Sequence, residues 1–171
     1  MKLAFIIFLI LALAISALII YCNSYNKLST YKIKMDNAFK EIEDNLKLKL
    51  DLMNKLYSEI KKVVDKKDYL KGFSTLKNKN LNSYELDKEL NEYYATMIKF
   101  KEDYKKLNNK EFNDILNELK EIEQNLIAAK KFFNKNNNAL MKNLKKQNKI
   151  VAKLINIKVK NSYEIKEPVE E

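Results

Sequence analysis

Two patterns of apolar residues run along this chain. From Leu3 to Tyr21 almost every position is apolar, inside an uncharged stretch that continues to Asn26. Beyond it, apolar residues recur at alternating intervals of three and four, the spacing of a helix face buried against another helix. The first such stripe is Phe39, Ile42, Leu46, Met53, Leu56, Ile60 and Val63, with Lys49 the one polar residue in its register. The second is Leu86, Leu90, Tyr93, Met97, Phe100, Tyr104 and Leu107. The third is Phe112, Ile115, Leu119, Ile122, Leu126, Ala129 and Phe133. The pattern predicts an all-α protein whose long helices pack on one another, preceded by one N-terminal transmembrane helix.

Local signals set the expected boundaries. Asn82 stands three residues before Glu85, and Asn108 three before Glu111, so each fits an N-cap with a capping-box acid. The short link at Leu107–Lys110 makes the second and third helices antiparallel neighbours. Residues 66–82 form a polar connection that holds the chain's one glycine, Gly72, and is expected to be mobile, with Tyr69, Leu70 and Phe73 docking part of it as a short helix. Past Phe133 the stripe weakens through Asn134, Asn136, Asn137 and Asn138, then revives at Leu140, Leu144, Val151 and Leu154.

Nineteen residues of helix rise about 28 Å, close to the thickness of a bilayer's hydrocarbon core. Tyr21 and Tyr25 fall where interfacial aromatic residues sit. Apolarity continues past the small-residue sites at Ala12–Ala14 and Ile15–Ala17, which favours an uncleaved anchor over a removed signal peptide. Cys22 follows the bulky Tyr21 rather than a small residue, so it is expected to be an inert thiol rather than a lipid attachment point. The lysines after the span (Lys27, Lys32, Lys34 and Lys40) outnumber Lys2 before it, which leans the C-terminal part toward the cytoplasm.

With no His, one Cys and one Gly, the chain lacks the materials for zinc sites, His-based acid–base catalysis and Gly-rich phosphate loops. Glu121 and Glu123 lie on different helix faces. Glu41, Asp44 and Glu118 sit beside lysines as ordinary surface pairs, and Tyr84, Tyr93, Tyr94 and Tyr104 suit core and interface. No catalytic, cofactor-binding or metal-ligating residue is assigned, and the chain is expected not to be an enzyme. All 33 basic residues are Lys, giving a net charge of +10. Without Arg there is no bidentate reader of bases, so sequence-specific nucleic acid is not an expected partner. Lysine supplies the point charges that anionic lipid or another polyanion needs. Between Lys130 and Lys160 ten lysines meet no acid; this segment is either a solvated face or a basic amphipathic helix facing anionic lipid or an acidic partner.

Several motifs resemble those of the LemA family of small bacterial membrane proteins. YNKL at residues 25–28 resembles the family's YN-x-L after its anchor. MDNAFKEIEDNLKLKLDLMNKL at residues 35–56 is similar to V-D-N-A-W-x-x-I-x-x-x-L-x-x-R-x-D-L-I-P-N-L, setting Met35, Asp36, Asn37, Ala38, Phe39, Asp51 and Leu52 in that block. LKEIEQNLIAAKKFFN at residues 119–134 resembles L-x-x-x-E-x-x-I-x-x-A-R-x-x-Y-N, placing Glu123, Ala129 and Asn134. IVAKLINIK at residues 150–158 is similar to the family's closing apolar stretch. Asn54 replaces the family's Pro, Lys130 its Arg, no Phe-Pro precedes Ile150, and a second Tyr-Asn near Leu140 is missing. The resemblance implies an antiparallel four-helix bundle on a single anchor, with residues 1–24 as the span and 25–160 as the bundle; it does not reach residues 161–171, where acidic residues and Pro168 predict a disordered acidic tail. It implies no reaction. The expected role is a membrane-anchored helical scaffold, self-associating or engaging a protein partner, in the bacterial inner membrane. Two alternatives stand beside it: an envelope-spanning component of a secretion or phage-type lysis system, and a secreted basic helical polyanion binder. A helix running unbroken from Leu3 to Val64 would span about 90 Å; residues 25–31 are where it would break instead.

Overall fold

The computed structural model describes residues 2–64, 70, 72–146, 157 and 160–165. These form helix α1 at Lys2–Val63, a single turn α2 at Phe73–Leu76, α3 at Ser83–Asp103, a 3-10 turn at Lys105–Leu107 and α4 at Lys110–Lys146. No strand occurs among the described residues. The chain divides into two compact units, one combining residues 1–38 with 132–162, the other combining 39–131 with 163–171.

Within the second unit the apolar stripes are largely the core. Ile42, Leu46, Met53, Leu56 and Ile60 of α1 are buried, as are Leu90, Met97 and Phe100 of α3 and Phe112, Ile115, Leu119, Leu126 and Ala129 of α4. Polar residues also enter the core. Lys49 is fully buried, and on α3 Ser83 and Asp87 face the core while Leu86 and Tyr93 are half-buried.

Helix direction follows from side-chain pairs. Ser83 donates to Glu43 at 3.2 Å and Lys49 to Asn91 at 2.6 Å, so α1 and α3 run the same way. Lys130 meets Asp87 at 2.6 Å and Lys49 also meets Glu123, so α4 runs against both. The expected antiparallel relation of the second and third helices holds, whereas α1 and α3 are parallel rather than alternating. Chain length explains the difference. Returning from Val63 to the level of Glu43 requires about 30 Å, and an extended chain supplies roughly 3.3 Å per residue, so the connection after α1 has slack to spare. The link between α3 and α4 has none, and must reverse.

The apolar residues described in that connection are packed. Leu70, Phe73 and Leu76 are buried, with Phe73 edge-on to both Tyr57 and Tyr93 at centroid distances of 5.5 and 5.4 Å. Gly72 lies against the Tyr93 hydroxyl, which occupies the space a Cβ would take. Residues 65–69, including Tyr69, lie outside the described residues.

The caps divide. Asn82 accepts from the Tyr84 and Glu85 amides, and Glu85 returns a bond to the Asn82 amide, completing the expected capping box. At α4 the expected Asn108 cap is off by one: Asn109 accepts from the Phe112 amide at 2.9 Å. The 3-10 turn after α3 uses up the residue that a direct link would have left for Asn108.

In the first unit, Leu28, Met35 and Ala38 of α1 and Phe133, Asn136, Asn137 and Leu140 of α4 are buried. The asparagine run does not break α4. Asn136 donates to the Phe132 carbonyl at 2.7 Å, an i−4 bond that satisfies the side chain within the helix, and Asn137 donates to the Lys160 carbonyl at 2.8 Å. The chain from 119 to 146 is therefore one helix, not two. Val151 and Leu154 lie outside the described residues. Nor does α1 break at residues 25–31.

Candidate functional site

A lysine inside an apolar stripe must find partners or lose its charge, because an unpaired ammonium in the protein interior is costly. Lys49 finds them on two other helices. Its ammonium donates to Glu123 of α4 and to Asn91 of α3, and lies 5.7 Å from the centre of the Tyr94 ring. Asn91 in turn donates to Asp87 at 3.4 Å, one helical turn back, and Asp87 accepts from Lys130 of α4 at 2.6 Å. Lys130 and Asp87 are both nearly closed off from solvent, while Glu123 keeps 19% of its side chain exposed. The result is a chain of charged groups bridged by one amide, Glu123–Lys49–Asn91–Asp87–Lys130, tying three helices together.

Burial pushes the Lys49 ammonium below its ordinary value, opposed by the nearby Glu123 carboxylate and, more weakly, Asp87. Chemically the arrangement is closed: the ammonium has no exposed surface for a substrate to approach. What it restricts is alignment. Sliding α4 by one turn would carry Glu123 away from Lys49 and leave a buried cation, a loss of about 3–5 kcal/mol.

Glu123 and Lys130 belong to the motif at residues 119–134, so the network joins residues of both long motif blocks. The expectation that Lys130 contributes to an exposed basic face is corrected here: it is buried and paired with Asp87, because it stands next to Ala129 on the core side of α4. Asp87 and Asn91 carried no sequence signal, since the α3 stripe was drawn through Leu86 and Leu90. Glu121 is exposed, on a different face from Glu123.

A second cluster lies at residues 160–165. Tyr163 is buried, its ring stacked on Tyr84 at 4.1 Å and 18° and tilted against Phe39 at 6.4 Å. Tyr163, within the disordered tail expected from residue 161, is thus packed; residues 166–171 lie outside the described residues. A tyrosine followed by Glu164 reads as tail in sequence, and only the Phe39–Tyr84 surface shows why it docks. Burial pushes the Tyr163 hydroxyl far above its ordinary value, with Tyr84, Asp87 and Glu43 adding to the rise and the nearby Ser83 hydroxyl opposing it. Tyr84 is raised for the same leading reason. Raised values favour the neutral rings, so their contribution is complete below the unfolded tyrosine value of about 10 and is lost as pH climbs above it. Tyr163→Phe keeps the ring stacked on Tyr84 and is expected to change stability by about 1 kcal/mol or less at pH 7. Its urea midpoint should then fall less than the wild-type midpoint between pH 8 and pH 11; an equal fall would show that Tyr163 ionises in the folded state as readily as in the unfolded chain.

The remaining chemistry is spread over surfaces. Residues 3–20 of α1 present an apolar side chain at nearly every position, with Leu3 74% and Phe8 70% exposed, and among the described residues one helix is long and apolar enough to cross a membrane. Tyr21 and Tyr25 stack at its end, with ring centroids 6.4 Å apart, and the Cys22 thiol is exposed. On the second unit, Lys55, Glu59, Glu111, Asp114 and Glu118 line an open groove of mixed charge. Among the described residues no three His, Cys, Asp or Glu side chains gather as a metal ion would require.

Comparison with protein-family models, curated proteins and solved structures returns no match.

Proposed function

We propose that this protein is a single-pass, membrane-anchored helical scaffold of the LemA type, without catalytic activity, that self-associates in the bacterial inner membrane with its helical part on the cytoplasmic side. The observation that carries the reading is α1 itself: one unbroken helix holds both a fully lipid-suited apolar segment and a face buried in the packed helices. An apolar surface this long is unstable in water, and a bilayer satisfies it. The buried network supports a structural role, since its charges are spent on aligning helices rather than left facing a cleft. The four-helix antiparallel arrangement implied by the LemA resemblance would need a further helix beyond α4.

Copies anchored in one membrane meet in its plane, which favours contact between their helical parts. Amine crosslinking of native membranes is expected to give dimers and larger species of the full-length chain. Monomers alone, across crosslinker lengths, would rule out self-association.

A further inference from the structure

The charge of this chain is not spread evenly between its two units. The first unit holds twelve lysines against a single acid, Asp36, a net +11; the other 21 lysines and 22 acids leave the second unit at −1. Asp36 is already engaged, accepting from Lys32 at 2.7 Å. Lys27 and Lys34 on α1 and Lys135, Lys142 and Lys145 on α4 are all exposed, and no acid of their own unit remains to pair with them.

The first unit is also the one that carries the apolar segment. Residues 3–20 are exposed throughout, so what packs in this unit is the stretch of α1 that follows them, with Leu28, Met35 and Ala38 buried. The stacked pair Tyr21 and Tyr25 marks the level of an interface. Lys27 lies about 9 Å of helix beyond Tyr21, and Lys34 about 20 Å, against a headgroup layer of several ångströms and a screening length of about 8 Å. α4 brings its lysines into the same unit.

We propose that Lys27, Lys142 and Lys145 form a basic collar that holds the phosphate headgroups of anionic lipid in the bilayer α1 enters. The proposal rests on the membrane-anchor reading. It differs from a basic face running from Lys130 to Lys160, because Lys130 is buried in an ion pair and the collar draws on two helices. Phosphodiester headgroups suit lysines, which act as point charges and need no fixed fork geometry. They are also present at high density where the anchor places the unit, and each lysine near an anionic surface adds attraction.

The test uses the full-length chain reconstituted into phosphatidylcholine vesicles with and without about 30% phosphatidylglycerol, the amine labelling rate of each lysine being read by mass spectrometry. The collar lysines are expected to label about fivefold more slowly in the anionic vesicles, with protection lost in 0.5 M salt, while Lys61, Lys88 and Lys120 of the second unit stay unchanged. Lys142→Glu with Lys145→Glu, exposed positions, should relieve protection at Lys27 without altering the unfolding midpoint. Equal labelling in both vesicles, on protein that floats with them, overturns the collar and leaves the anchor standing. Protein that does not float with either overturns both. Equal protection in neutral vesicles given millimolar inorganic phosphate overturns the headgroup in favour of a soluble anion.

Discussion

Full-length protein carrying Glu123→Ala is expected to lose about 3 kcal/mol of stability, because Lys49 keeps its burial and loses its one charged partner. For a chain of this size that is a fall of about 6–12 °C in the melting temperature in detergent micelles. The reciprocal change should be mild. Lys49→Met completes the apolar stripe, and Glu123 can turn its partly exposed carboxylate toward water, so the cost is about 1 kcal/mol or less. Adding Lys49→Met to Glu123→Ala should then recover most of the loss, a coupling a double-mutant cycle measures directly. The pH dependence has a defined sign. In Glu123→Ala the buried Lys49 is depressed further, so the unfolded state binds more protons and stability rises with pH toward the unfolded lysine value of about 10.4. The deficit should therefore narrow between pH 7 and pH 10. A neutral Glu123→Ala would show that Lys49 reaches water and that the network does not align the helices.

The larger effect is on location. Leu11→Arg with Ile15→Arg places two charges near the centre of the apolar segment, each costing about 2.5–3.5 kcal/mol on insertion scales. That is a large burden for a single helix with no neighbour described along this stretch, where every side chain is exposed. The variant is expected to leave the membrane pellet for the soluble or aggregated fraction, while Leu48→Arg, an exposed position on the same helix beyond the span, should stay in the pellet. Unchanged membrane retention of the double variant would mean that something other than residues 3–20 holds the protein.

Which features could be foreseen depends on how local their causes are. The stripes were legible because burial at helical spacing needs only nearby residues, and Ile42, Leu46, Leu90, Leu119 and Phe133 are buried as the spacing requires. The Asn82 capping box was legible for the same reason. Asn108 and Asn109 could not be told apart, since either can cap and the choice fell to the 3-10 turn before them. Lys49 was visible as a misfit, yet its meaning lay in Asn91 and Glu123, which are distant in sequence. In a chain whose every cation is Lys, one more carries no signal of its own. Tyr163 was hidden similarly: its binding surface is made by Phe39 and Tyr84 from two separate helices. The parallel course of α1 and α3 was set by slack in the connection between them, which periodicity does not record.

The central claim is that α1 is a retained membrane anchor continuous with the packed helices. The most direct measurement is intact mass of the wild-type protein recovered from membranes washed with alkaline carbonate. Full-length chain at 20.2 kDa, retained in the pellet, is the predicted result. A chain shortened by its first twenty or so residues and released by the wash would contradict it.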